Sequence, residues 1–163
     1  VEYGPEFFTD YILDFIERKR NEPFFVYFPM CLTHSPFEHT PDSRDTSQGR
    51  DENFADMVTY MDKMIGRIGR RLEELDLDER TMIIFIGDNG TNRAITSNTV
   101  DGSVKGGKEH PDDGGTHVPL IAWGKGIIPG GRVCDDLVDF SDFFPTPAQA
   151  AGAVQAPRAT GEP

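Results

Sequence analysis

Three polar clusters in this chain carry residue types and spacings that chemistry can use. Asp88 and Asn89 follow directly on an apolar run and offer a carboxylate and an amide carbonyl. Such hard oxygen donors suit Ca²⁺ or Mg²⁺ better than zinc. The competing reading of Asp88-Asn89-Gly90 is a plain turn, for which the same residues are apt. Thr33-His34-Ser35-Pro36 closes an earlier apolar run. His34 could donate to an oxyanion or pass a proton to a leaving group, or it could be only a structural or surface histidine. In Lys105-Gly106-Gly107-Lys108, glycines permit close backbone approach and a lysine supplies a point charge for a tetrahedral anion. The Gly-x-x-x-x-Gly-Lys-Ser/Thr signature of a P-loop is absent from this stretch. His110 and His117 are further cationic candidates, and Asp112-Asp113 is either a metal-binding or a solvated acid pair. A Ser-His-Asp relay is set aside, because the chain has no Gly-x-Ser-x-Gly elbow and Ser35 precedes a proline rather than a helix. What remains is a hard-metal site beside a cationic clamp for an oxyanion.

The elements that must hold these residues alternate between helical and strand patterns. Pro5 suits a helix start, and Phe7, Phe8, Tyr11, Ile12, Phe15 and Ile16 come after it at helical spacing. Arg18, Lys19 and Arg20 suit its C-terminal end, and Pro23 stops it. Phe24-Phe25-Val26-Tyr27-Phe28 then reads as a strand buried on both faces of a parallel sheet. A polar, turn-rich loop is expected over 36–51, and a second helix over 52–75 with Met57 and Met61 as core filling. Met82-Ile83-Ile84-Phe85-Ile86 is the next buried strand, closing a helix-to-strand crossover. Residues 91–115 hold almost no large apolar side chain and read as a long irregular loop. A third strand is expected at Val118–Trp123, and a last helix at 141–151 with Pro145 and Pro147 in its first turn. The expected fold is α/β, three layered, with a mostly parallel sheet; residues 1–152 form one domain and 153–163 a flexible tail. Ligands of such sheets collect beyond the carboxyl ends of the strands, where His34, Asp88 and Asn89 fall.

The 163 residues carry a net charge of −12, which argues against a general nucleic-acid binder and against docking on an anionic membrane. An anionic substrate must therefore meet a local cationic pocket. Cys31 and Cys134 are too few for a disulfide framework and match no zinc pattern, so the redox compartment stays open. No apolar run reaches the length of a membrane span, and Val1-Glu2-Tyr3-Gly4-Pro5 resembles no signal peptide. With no initiator Met, the chain is expected to be an excised piece.

Taken in order, Pro23–Phe28, Thr33-His34-Ser35-Pro36, Tyr60–Ile68, Ile86-Gly87-Asp88-Asn89-Gly90, Gly106-Gly107-Lys108 and Asp113–Pro119 resemble the sulfatase family, and Phe140–Thr146 extends the likeness. The resemblance implies an alkaline-phosphatase-like fold and hydrolysis of sulfate esters of small molecules or glycans. It implies that Asp88 and Asn89 are two ligands of one divalent cation, usually Ca²⁺ with Mg²⁺ possible. Lys108, six residues before Gly114, corresponds to the lysine that contacts sulfate, a spacing that Lys105 does not meet. His34 corresponds to the histidine that binds the ester and protonates its leaving oxygen. Gly-Gly-Thr-His stands where Gly-Gly-x-Arg is commoner, and His117 stays outside the catalytic set. The family nucleophile is formylglycine made from Cys or Ser in Cys/Ser-x-Pro-x-Arg. Cys31 and Cys134, with Thr33 and Asp136 at the proline offset, do not supply it. The nucleophile and the remaining metal ligands are therefore expected upstream, with this chain inactive alone. The resemblance also points to the periplasm or secretion. Cleavage of phosphate or phosphonate esters, and a noncatalytic anion-binding relic, are the competing functions.

Overall fold

The computed structural model describes residues 3–100 and 102–153. By compactness the chain divides into Val1–Gly130 and Gly131–Pro163, each taken by itself. Most of the tail expected to be flexible, 154–163, lies outside the described residues.

In the first unit, α1 spans Gly4–Lys19 with Pro5 in its first turn, where a missing N–H costs nothing. Its buried stripe is Pro5, Thr9, Ile12 and Ile16, and Thr9 Oγ1 donates to Pro5 O at 2.8 Å. Phe7, Phe8 and Tyr11, expected on the core face, are instead at least half exposed, because the 5-9-12-16 spacing wins the inward side. The second helix, α2, spans Arg50–Glu74 and buries Asn53, Met57, Tyr60, Met64 and Leu72. Met57 and Met64 are core residues, at 4% and 0% exposure. Arg67 donates to Asp10 and Arg71 to Glu17, so ion pairs border the packed contact between the two helices.

Two apolar clusters result. Ile12, Ile16, Leu72 and Leu77 form one, joined by Phe24, Val26, Phe28, Ile83 and Trp123. Leu32, Met57, Tyr60 and Met64 form the other, with Tyr3, Met30, Phe37 and Met61 against it. Each fully buried side chain of this kind contributes about 1.5–3 kcal/mol. A 3₁₀ turn, Asp78–Arg80, leads out of this region, and Lys125 Nζ donates to Asp78 at 2.9 Å.

The strands depart from the expected parallel sheet. β1 (Ile83–Ile86) pairs antiparallel with β4 (Leu120–Trp123), in the register Ile83 to Trp123 and Ile86 to Leu120. Between them β2 (Thr96–Thr99) and β3 (Gly102–Lys105) form a second antiparallel pair. No parallel pair occurs among the described residues. The run 24–28 joins no ladder: Phe24, Val26 and Phe28 face the first cluster while Phe25 and Tyr27 stay 74% and 81% exposed. A continuous apolar run implies cover on both faces, and the described residues cover one. The expected loop 91–115 is also more ordered than its composition suggests, holding the β2–β3 hairpin and a helical turn, α3 (Asp113–Thr116). Its β-branched residues Thr96, Thr99, Val100 and Val104 carry a strand signal that the lack of large apolar groups obscured.

In the second unit a 3₁₀ turn, Phe140–Phe143, precedes α4, Pro145–Ala150. Asp139 accepts from Ser141 N at 2.8 Å and Asp142 accepts from Asp139 N at 3.1 Å, a reciprocal cap. Pro145 and Pro147 lack N–H groups, so the longer helix expected from 141 can only begin at the first of them.

Candidate functional site

Asp88 and Asn89 leave the end of β1, where Gly87 N donates to Pro119 O and prolongs the β1–β4 ladder by one bond. Two further main-chain bonds, Gly90 N to Gly115 O and Lys108 N to Thr91 O, each 2.9 Å, fix the loops beyond the strand. A fourth, Gly106 N to Ile95 O at 3.0 Å, ties the base of the hairpin to the same loops, and Ile95 is fully buried. The segments carrying Asp88, Asn89 and Lys108 are thus stitched together by backbone groups. Side chains are excluded where they cross. A Cβ on Gly90 would lie 2.0 Å from Gly114 O, and one on Gly106 would lie 2.1 Å from Asn92 O. No flexible group is available there to yield.

The side chains at this crossing are little engaged with the rest of the chain. Asp88 is exposed, Asn89 and Lys108 are half-buried, and none of the three makes a side-chain hydrogen bond or ion pair among the described residues. No cluster of three or more His, Cys, Asp or Glu suited to a metal occurs among the described residues. Asp88 and Asn89 therefore fit a hard divalent cation as donors but supply only two ligands of the six or more that calcium takes.

The neighbouring charges are more engaged. Arg93, which the sequence did not single out, donates to Glu109 Oε2 at 2.7 Å and to His110 Nε2 at 3.2 Å. Arginine has only donors, so His110 carries its proton on Nδ1, 3.8 Å from Asp112. His110 is in this way part of a surface clasp. The signal for Arg93 was its place three residues after Gly90 in the same polar loop. Asp112 caps the first turn of α3 through its carbonyl, which accepts from Gly115 N and Thr116 N, and exposed His117 ends that turn. Lys105, at the end of β3, lines a cavity of about 660 Å³ with Gly106, Gly107 and His110.

His34 lies in the loop after the extended run 24–28. Its main-chain N–H donates to Cys31 O at 3.1 Å. Nδ1 lies 2.9 Å from Ser35 O, and because a carbonyl only accepts, Nδ1 holds the proton and Nε2 is free. The Leu32–Thr33 and Ser35–Pro36 peptide bonds are both cis. Among the described residues no hydrogen bond or ion pair joins His34 to Asp88, Asn89 or Lys108. Downstream, the loop is pinned to α2. Ser43 Oγ and Gln48 Nε2 donate to Asp56 Oδ2 at 2.5 and 2.7 Å, and Asn53 Nδ2 donates to Phe37 O at 3.1 Å. The first two bonds hold the Asp56 carboxyl below the usual carboxylate range. Lys63 adds a bond to Asp42 at 2.6 Å. Cys31 and Cys134 are both free and exposed.

An acid-amide pair and a lysine thus stand on glycine-backed loops of an α/β fold. The chain matches the Sulfatase family over residues 2–153 and belongs to it. It is 37% identical over 147 residues to the N-acetylgalactosamine-6-sulfatase of Canis lupus familiaris, covering 86% of this chain and 27% of that protein. With an arylsulfatase of Hemicentrotus pulcherrimus it shares 32% identity over 148 residues, 90% of this chain and 26% of the relative. The chain thus spans about a quarter of the length of these relatives. The PsFucS1 sulfatase from Pseudoalteromonas sp. superposes with a TM-score of 0.76 at 26% identity, covering 92% of this chain and 30% of that one. Ps i-CgsB, solved with k-i-k-neocarrahexaose, shares the fold with a TM-score of 0.85 at 24% identity, over 99% of this chain and 37% of its own.

Proposed function

We propose that this chain is the metal-and-sulfate-binding part of a sulfuric ester hydrolase. One observation carries the reading. The family's three loop motifs cross through main-chain bonds and glycine contacts, with the side chains of Asp88, Asn89 and Lys108 making no hydrogen bond or ion pair among the described residues. Asp88 and Asn89 would hold a divalent cation, Ca²⁺ or Mg²⁺, which when bound neutralises charge on the sulfate. Formylglycine, outside these residues, would supply the attacking oxygen.

Within the chain, Lys108 places a compact positive charge for the sulfate oxygens, anchored through its own N–H to Thr91. His34 keeps its Nδ1 proton on Ser35 O, so Nε2 is the atom that exchanges a proton with the ester. When Nε2 is protonated it gives that proton to the departing alcohol. With only part of the catalytic set present, the chain by itself does not turn over sulfate esters. In the whole protein the extended run 24–28 and β1 would belong to a mostly parallel sheet of a three-layer fold, exported to the periplasm or beyond.

Parallel assays of 4-nitrophenyl sulfate and 4-nitrophenyl phosphate with the whole protein test the reading. Faster turnover of the sulfate, lost in Asp88→Ala and Lys108→Ala, is expected. Preference for the phosphate, or activity unaffected by both substitutions, rules it out.

A further inference from the structure

Among the described residues only Asp76 and Glu109 carry a positive φ without being glycine, at 55° and 74°. Asp76 has a local cause. It follows the last turn of α2, and its N–H donates to Glu73 O while Leu77 N donates to Leu72 O, the pattern that closes a helix on a left-handed residue. Glu109 ends no helix. It is the third residue of the turn 107–110, which His110 N closes on Gly107 O at 2.9 Å. A positive φ at that position marks a type II turn, where glycine or asparagine is usual. A glutamate held there is strained, and it persists only where its surroundings fix it. The residue just before it in the turn is Lys108.

The hold comes from the loop that follows Asp88 and Asn89. Arg93 donates to Glu109 Oε2 at 2.7 Å and to His110 Nε2 at 3.2 Å, so one guanidinium grips the two residues after Lys108. Its own base is firm. Ile95 N donates to Asn92 O and Ala94 N to Asn92 Oδ1, each at 2.9 Å, and Ile95 is fully buried. The Arg93 and Glu109 side chains are 54% and 68% exposed, so their pairing adds little to stability and acts on geometry instead.

We propose that Arg93 is a positioning residue for Lys108: through Glu109 it keeps the turn left-handed and thereby sets the direction in which the lysine leaves the loop. What Lys108 binds rests on the sulfatase reading; the clasp itself does not. An arginine that also tied down the loop of Asp88 and Asn89 in this way would keep the cation ligands and the lysine in one register.

The test is a double-mutant cycle in the whole protein on 4-nitrophenyl sulfate, with amide hydrogen exchange of the 163-residue chain beside it. Arg93→Ala and Glu109→Ala are each expected to lower kcat about tenfold or more with KM changed less than about twofold, and the double variant to be no worse than either. Glycine takes a φ of 74° without strain, so Glu109→Gly in the Arg93→Ala protein should recover most of the lost kcat. In the chain, Arg93→Ala should speed exchange of the His110 amide about tenfold, because its bond closes the turn. Losses that multiply in the double variant, or a loss confined to Arg93→Ala, would make Arg93 a direct substrate contact and overturn the proposal. So would full activity in both alanine variants, or unchanged exchange at His110. If the whole protein prefers 4-nitrophenyl phosphate or hydrolyses neither ester, it is the sulfatase reading that falls, and the exchange result by itself upholds or removes the clasp.

Discussion

The loop crossing at Asp88–Gly115 and the stretch from Phe24 to Gly49 hold their candidate residues by opposite means. At the crossing, backbone bonds to backbone, glycines leave no room for side chains, and Asp88, Asn89 and Lys108 have no side-chain partners among the described residues. Around His34 the main chain makes few bonds. Position comes from apolar packing on α2 and from side-chain tethers to Asp56 and Asn53. A backbone-locked site loses its geometry when a single Cβ is added, whereas a tethered loop loses it one hydrogen bond at a time.

The largest effect expected is at the crossing. Gly90→Ala forces a Cβ to within 2.0 Å of Gly114 O and should cost at least about 3 kcal/mol, read as a lowered urea midpoint. Gly69→Ala, in α2 with nothing within 4 Å of the new methyl, should instead stabilise by about 0.5–1 kcal/mol. Equal outcomes for the two glycines would erase the contrast.

Next is Lys108→Ala in the whole protein, expected to lower kcat/KM for a sulfate ester by about 10²–10³ with the chain's thermal midpoint nearly unchanged. A matching loss of stability would make Lys108 structural.

Smaller again is Asp56→Ala, which removes two tethers and should cost about 1–2 kcal/mol. Its effect depends on pH with a definite sign. The folded carboxyl lies below its ordinary value of 3.8, so its contribution is complete above that pH and is lost as pH falls through the lowered value. Wild type and Asp56→Ala should therefore converge in stability on acidification. Convergence on raising the pH would contradict the tether.

The smallest effect belongs to the open side of the extended run. Phe25→Ser and Tyr27→Ser should change the stability of this chain by no more than about 0.5 kcal/mol, since both side chains are already in solvent. A calorimetric loss of several times that size would show that these rings are covered in solution.

Parts of the fold, and the places of some candidate residues in it, were legible in the sequence for identifiable reasons. Helical spacing placed α2 within two residues of its observed start, and Met57 went to the core as its position implied. Asp88-Asn89 at the end of β1 and the close approach of Gly106 needed only local signals, namely an apolar run ending in turn residues and glycines where chains cross. The helical register of α1 was harder. Phe7, Phe8 and Tyr11 share the helical spacing of Ile12 and Ile16, so spacing alone does not separate them, yet the narrower stripe is the one that fits against its neighbours. The Asp56 tethers reach 8 and 13 residues and the Arg93 clasp 16 and 17, and no periodicity encodes side-chain bonds over such separations.

The sequence by itself determined the family to which the chain belongs, because residue type and order survive without coordinates. Only the tertiary structure decided that β1 and β4 run antiparallel, that Phe25 and Tyr27 stay open, and that His34 borders a cavity with Tyr3 and Glu38. Pairing direction, burial and cavity walls are relations between distant segments. They are set by how whole elements pack, which a one-dimensional pattern does not record.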